Sequence, residues 1–405
     1  MNKRFSDSFP SLKGQTAEGE PYVFLDGPAG TQVPISVMEA VSGYYRHANA
    51  NSHGQFPTSC LTTAVVDQCR ETMAAFLGAG QPGEIAFGPN MTGLAFALAR
   101  AFGRLFKPGD EVLITQLDHE ANRGPWLSLR ERGIVVREIA LQTGGILDYA
   151  DLEAKLGPRT RLVAVGYASN LLGTVNDLEV FRRLSHQVGA WLLVDAVHGA
   201  PHFHLDVKAL DCDFLLCSGY KFYGPHVGVL YSREGLLDSL DTDRLRTAAQ
   251  AAPDRIETGT PNFAAIAGLH AAVHFLASHG KGRTLREQIS DAMSALGQYE
   301  KTLFLRLWRG LERIPGIVLH GPSPEAPLRA PTLSFHSVRF DPETMCRKLG
   351  ERGIFAWDGH FYAIRALEIL GLRARGGVVR MGISGYITEK DVDRALEMVQ
   401  SIHLD

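Results

Sequence analysis

Between Glu84 and Tyr231 the chain alternates short apolar runs with stretches of helical periodicity. The runs are Glu84–Phe87, Val112–Thr115, Ile134–Ile139, Leu162–Val165, Trp191–Val194, Phe214–Cys217 and Val227–Tyr231. Most are almost continuously apolar, the pattern of strands covered on both faces. Alternation of this kind predicts an α/β domain with a mainly parallel sheet. Upstream, 36–46 and 61–79 read as helices; in the second, Leu61, Val65, Cys69, Met73 and Phe76 recur every three or four residues.

The pattern changes after Asn262. Residues 263–315 carry long helical periods interrupted near His279–Gly282, followed by short apolar segments at Ile317–His320, Thr332–His336 and Val378–Ile383. An amphipathic helix begins near Glu389, with Val392, Leu396, Val399 and Ile402 on one side and Thr388 and Asp391 spaced as an Asp-containing capping box. The expected organisation is an N-terminal segment, 1–25, packed on a small α+β domain formed by 263–405, with a large domain from 26 to 262.

Composition narrows the function classes. The formal net charge is −3, with no basic excess of the kind a nucleic-acid partner selects. No apolar run has the length of a membrane span, and Met1–Gly14 lacks the apolar segment of a signal peptide. The five cysteines, Cys60, Cys69, Cys212, Cys217 and Cys346, are scattered and show neither disulfide-framework nor metal-ligand spacing. The expectation is a cytoplasmic protein without a metal.

The candidate chemistry sits where strands end, the edge at which open α/β sheets bind ligands. Lys221 lies in Cys217-Ser218-Gly219-Tyr220-Lys221-Phe222-Tyr223-Gly224-Pro225. An amine desolvated there has a lowered pKa and suits Schiff-base chemistry; the ordinary alternative is a solvated loop lysine. Asp195 closes Trp191–Val194, where a carboxylate beside a pyridine nitrogen keeps it protonated; it would serve equally as a helix N-cap. Gly88-Pro89-Asn90-Met91-Thr92-Gly93 precedes the helix Leu94–Phe106, so its amides form either a phosphate site or a plain cap. His119, in Leu117-Asp118-His119-Glu120-Ala121-Asn122, would lie flat on a cofactor ring or be a satisfied polar residue. Together the order is phosphate loop, aromatic residue, acid and lysine, all at strand ends.

With these motifs the chain resembles the class V aminotransferases, and in particular the SufS-type cysteine desulfurases. The likeness runs from Phe24 to near the C-terminus and is densest from Asp195 to Tyr231. It implies the α/β architecture of fold type I PLP-dependent transferases (aspartate-aminotransferase-like), with a large, mainly parallel domain and a small α+β domain. It also implies pyridoxal 5′-phosphate (PLP) held by Lys221, which then shuttles the Cα proton. By the same resemblance Asp195 is the acid at the pyridine nitrogen, His119 the stacking ring, His198 the residue at the ring hydroxyl and Asn170 the residue at the ring edge. The phosphate ligands match Asn90, Met91, Thr92 and Ser218, with Tyr220 where desulfurases often carry histidine. Gly259-Thr260 matches a pair that the family borrows from a second subunit, so a homodimer is implied. Arg380, in Val379-Arg380-Met381-Gly382-Ile383-Ser384, matches the arginine that forks onto the substrate carboxylate.

One departure matters. The desulfurases take sulfur onto a loop cysteine shortly before that arginine, whereas aligning Gly359-His360 with their loop puts Tyr362 at the nucleophile position. Tyrosine forms no persulfide. The reading is therefore a PLP enzyme acting at Cα of a small amino-acid substrate, cysteine desulfurase-like and of C–S lyase (β-elimination) type, with Tyr362 or His360 as acid to the leaving group. A class V aminotransferase or an amino-acid epimerase is the alternative. A sulfur-acceptor protein is not expected.

Overall fold

Each apolar run between 84 and 231 forms a strand of one sheet. The computed structural model describes residues 3–404. Its strands are β1 (Val23–Phe24), β2 (Ile85–Gly88), β3 (Glu111–Thr115), β4 (Val135–Ile139), β5 (Thr160–Gly166), β6 (Trp191–Asp195), β7 (Phe214–Ser218), β8 (Gly228–Ser232), β9 (Ile317–His320), β10 (Thr332–Ser337), β11 (Ile354–Phe355), β12 (Trp357–Gly359) and β13 (Val378–Gly382). Seven of them pair in the order β2-β8-β7-β6-β5-β3-β4. The run β7-β6-β5-β3-β4 is parallel, and β8 is antiparallel to both of its neighbours.

The continuous apolar runs have a simple cause. Alternate side chains go to opposite faces: Leu113, Val163, Leu192 and Leu215 join one buried cluster, while Val112, Leu162, Leu193 and Leu216 join another. Both faces are covered by helices, so neither set can be polar.

A second sheet, β12-β13-β10-β9, is antiparallel throughout. Its central strand β13 holds Arg380 between Ser334 of β10 and Trp357 of β12. The N-terminal segment is tied to this half, since β1 pairs with β11 and Asp26 bridges to Gly382. Phe5 and Phe9 pack on Tyr223, and Phe9 also meets Tyr386. Met1 and Asn2 of the expected 1–25 segment lie outside the described residues.

The interrupted helical stretch resolves into Phe263–Ala277 and Leu285–Glu312, the second opened by a Thr284/Glu287 capping box. The first packs against helices Ile35–His47 and Pro57–Leu77. The latter starts four residues before its expected beginning because Pro57 occupies its first turn, where proline's fixed φ suits the helix. Thr388 and Asp391 cap the final helix, Glu389–Leu404, as expected. Among the described residues no helix is long and apolar enough to cross a membrane.

Candidate active site

The parallel strands point their carboxyl ends at one edge, and the residues that follow them line a cavity there that opens to solvent. Asn90 and Met91 come from the end of β2, Asp118 and His119 from β3, Ser169 and Asn170 from β5, Asp195 and His198 from β6, and Ser218 and Lys221 from β7. Thr92 and Tyr220 also line it. The four motifs read from the sequence therefore meet in space.

Lys221 is buried, 7% exposed, and its ammonium donates to the carbonyl of Pro28. Burial lowers its pKa to about 7; the Arg380 charge adds to the shift and Asp195 opposes it. Asp195 is buried as well, and one carboxylate oxygen accepts the Val197 N–H at 2.9 Å. Burial raises its pKa to about 7 against that hydrogen bond, helped by the nearby Asp118 and resisted by Lys221. Asp118 accepts from the Gly166 N–H at 3.0 Å and from Asn122 Nδ2 at 2.8 Å, and burial holds its pKa at about 6. A buried carboxylate of this kind favours a cationic partner.

At the far end of the cavity the helix Met91–Leu105 begins. Asn90 caps it by accepting the Gly93 N–H, and the Met91 N–H donates to Ser218 Oγ at 3.1 Å. A helix N-terminus beside a serine suits a phosphate. β8 runs close behind: a Cβ on Gly228 would lie 2.4 Å from the backbone of Asn90, so only glycine allows this loop its position. Tyr220 does not carry the imidazole of the desulfurase pattern, but its ring stacks on His226 with centroids 4.5 Å apart.

The two histidines of the cavity are both held neutral. His119 Nδ1 accepts the Ala121 N–H at 2.9 Å, which leaves Nε2 to carry the proton; burial first, then Lys221 and Arg380, bring its pKa to about 4. His198 Nε2 pairs with Thr332 Oγ1 at 2.9 Å, its Nδ1 is buried without a partner, and burial keeps its pKa well below the usual value.

Arg380 reaches the cavity from β13. Its Nη1 donates to the Asn170 carbonyl at 3.0 Å and its Nε is buried without a partner. That leaves the Nε–Nη2 edge, the side that forks onto a carboxylate. Burial lowers its pKa, opposed by the nearby Asp26, yet a guanidinium stays charged at neutral pH.

The loop 359–363 covers this arginine differently from the expectation. Phe361 lies over the guanidinium, and Asn170 Nδ2 donates to the Phe361 carbonyl at 2.9 Å. Tyr362 is 63% exposed with its ring centroid 5.3 Å from that of His119, and His360 is exposed with its Nδ1 accepting the Tyr362 N–H. Both Phe361 and Tyr362 have positive φ, a costly conformation for such residues. Gly259 and Thr260 do not reach the Lys221 cavity of their own chain; they line a neighbouring hollow with His226 and Arg100. Sequence reading missed Phe361, Asp118, Asp26 and Thr332. Asp118 stands beside His119, and Phe361 between His360 and Tyr362; Asp26 and Thr332 are joined to the site only through tertiary contacts.

The donor set fits PLP. It offers a buried carboxylate for a cationic ring nitrogen, an unpartnered His198 Nδ1 in the wall, a helix N-terminus with Ser218 for the phosphate, and an amine of lowered pKa. The comparisons agree. The aminotransferase class-V family model matches residues 23–395. A cysteine desulfurase of Pectobacterium carotovorum subsp. carotovorum is 34% identical over 99% of this chain and 98% of its own. Among solved structures, a cysteine desulfurase from Thermococcus onnurineus superposes with a TM-score of 0.86 at 27% identity, covering 98% of both chains. The cysteine desulfurase CsdA (S-sulfonic acid) from Escherichia coli gives 0.85 at 28%, covering 99% of this chain and 98% of the other.

Proposed function

The chain belongs to the class-V aminotransferases, PLP-dependent enzymes of fold type I, and from that premise we propose that it cleaves a C–S bond of a cysteine-like amino acid by β-elimination. The observation that carries this reading is the absence of any cysteine among the residues lining the Lys221 cavity, where the facing loop presents Phe361 and Tyr362 instead. PLP supplies an electron sink for the amino acid's Cα.

The protein's own groups take the remaining roles. Lys221 Nζ, its basicity tuned to about neutral pH, holds the cofactor and moves the Cα proton. Asp195 would keep the ring nitrogen cationic, His119 would lie against the ring, and His198 and Asn170 would serve the ring hydroxyl and edge. Asn90, Met91, Thr92, Ser218 and Tyr220 would hold the phosphate. Arg380 forks onto the α-carboxylate, while Phe361 shields that contact from water. Tyr362, with His360 hydrogen-bonded to its backbone, donates a proton to the leaving sulfur.

A homodimer completes the phosphate site with Gly259 and Thr260 of the second copy. The exposed Ile35, Met38, Tyr45, Phe56 and Leu61 on and around the helices Ile35–His47 and Pro57–Leu77 support a covered face there. The organisation into 1–25, 26–262 and 263–405 and a cytoplasmic location complete the proposal; five free thiols fit a reducing compartment. The test is to supply cysteine and related amino acids to the holoenzyme while assaying pyruvate, sulfide, alanine, keto acids and chirality. Pyruvate with sulfide supports elimination; keto acid or racemised substrate alone refutes it.

A further inference from the structure

Away from the Lys221 cavity, buried polar groups without partners concentrate at one other place. The segment 322–331 and the helix Leu285–Glu312 line an open hollow together with His202, Phe203 and His204. Arg329 forms part of its wall. The guanidinium rests on two aromatic rings, 5.1 Å from Phe304 and 4.7 Å from Trp308, and Nη2 donates to the Leu172 carbonyl at 2.8 Å. Its Nε and Nη1 are buried with no partner. His204 Nε2, also in the wall, is buried and unpartnered.

Arg329 shares this state with Arg380 of the first cavity, whose Nε is also buried without a partner, and differs from arginines that the fold neutralises. Arg70 pairs with Glu257 and Asp254, and Arg123 with Glu138. Arg329 makes no ion pair among the described residues, and burial alone pulls its pKa down. A buried cation with two idle nitrogens is costly unless an anion compensates it. The acid in the wall, Glu300, is bound through Oε2 to His202 Nδ1 at 2.8 Å, its Oε1 is buried without a partner, and it makes no ion pair with Arg329. Lys301 adds a second positive charge at the wall. The rest is apolar, with Phe203, Met293, Phe304 and Leu328. An inorganic anion would satisfy the charge and leave these surfaces wet; an apolar body bearing one carboxylate satisfies both.

We propose that this cavity is a second ligand site, selective for an organic monocarboxylate with an apolar body, whose carboxylate is held by Arg329. The site is coupled to the first cavity through the backbone. Arg329 grips Leu172 and the Ala330 N–H donates to Gly173, while Arg380 holds Asn170 in the same loop from the opposite side.

The test is calorimetric titration of the PLP-loaded protein with phenylacetate. An Arg380→Gln background removes the carboxylate contact assigned to the first cavity. One saturable site is expected there, with sodium sulfate binding at least about tenfold more weakly. Arg329→Gln should weaken phenylacetate by about tenfold or more. Ser294→Trp, which fills the cavity from an exposed helix position and leaves Arg329 in place, should abolish binding. Circular dichroism and cofactor absorbance report whether each variant is folded. The proposal is overturned if phenylacetate finds no saturable site, if both folded variants bind it as before, or if sulfate binds equally well.

Discussion

The guanidinium carbon of Arg380 lies 4.1 Å from the centre of the Phe361 ring. Asn170 ties the pair together, accepting from Arg380 through its carbonyl and donating to the Phe361 carbonyl through its side chain. The ring dries one face of the cation without using the edge that would fork onto a carboxylate. A desolvated cation–π contact is worth about 2 kcal/mol. Phe361→Ala should therefore raise KM for an active amino acid by up to about thirtyfold with a smaller change in kcat, and Phe361→Tyr should restore it. An unaltered KM in the alanine variant would show that the ring does not serve the arginine.

Lys221 gives a pH prediction. Its amine has a pKa of about 7 in the cofactor-free protein, against 10.5 for an ordinary lysine. The reactive neutral form grows in as pH rises through 7 and is complete well below 10. The amine-dependent rate of PLP uptake, followed by the yellow absorbance, should climb between pH 6 and 8 and then level. The Asp195 charge props up the lysine's pKa, so Asp195→Asn should move the midpoint lower while cutting turnover severely. Borohydride followed by peptide mapping should place the pyridoxyl group on Lys221. A rate that keeps rising to pH 10, or a label on another lysine, would refute the assignment.

The legibility of this site follows from its construction. Lys221, Asp195, His119 and Asn90 follow strands buried on both faces, and such strands announce themselves as apolar runs, so their ends can be found without a structure. Asn170 and Arg380 carry no local signal and were recognised through family resemblance. Phe361 lies between the recognised His360 and Tyr362, but its place over Arg380 depends on β12 and β13 pairing and on two successive positive φ angles in a loop without periodicity. Arg329 sits in a proline-rich stretch whose sequence resembles an exposed loop. The helix Phe263–Ala277 is buried nearly all round, so its periodicity does not reveal that it packs on helices preceding the large sheet.

Asp118 tests the electrostatics beneath the cofactor site. Its hydrogen bonds accept from Gly166 and Asn122, and Asn122 Oδ1 is already taken by Trp126 Nε1 at 3.1 Å. In Asp118→Asn, Oδ1 can keep the Asn122 amide, but Nδ2 then takes the place of the other oxygen and meets the Gly166 N–H, which lies 3.0 Å from both, donor to donor. Turning either group strands another, so the cofactor-free protein should lose about 1–3 kcal/mol. The pH dependence has a definite sign. The folded pKa, about 6, lies above the ordinary 3.8, so the stabilising effect of protonating Asp118 is full below 3.8 and lost as pH rises through 6. Asparagine lacks this dependence. The stability gap between wild type and variant should widen as pH falls from 7 toward 4. Denaturant melts at the two pH values decide it, and a constant gap would mean that Asp118 ionises normally.

The fate of sulfur follows from where the thiols are. Cys69, Cys212, Cys217 and Cys346 are buried, and burial raises each thiol's pKa. Nucleophilic attack on sulfur needs the thiolate, which these residues do not form near neutral pH. Cys60 is exposed, but it does not line the Lys221 cavity. Tyr362 stands beside His119 and cannot form an S–S bond. Given cysteine, the enzyme should therefore accumulate pyruvate and free sulfide, because elimination leaves the carbon skeleton unsaturated and it hydrolyses to the keto acid. Transfer of sulfur to a protein thiol would instead leave alanine. Replacing Cys60 by serine should not alter the rate, and mass spectrometry after a single turnover should find no added sulfur atom on the protein. Stoichiometric alanine with a persulfide on any of the five cysteines would overturn both the assignment of Tyr362 and the elimination chemistry.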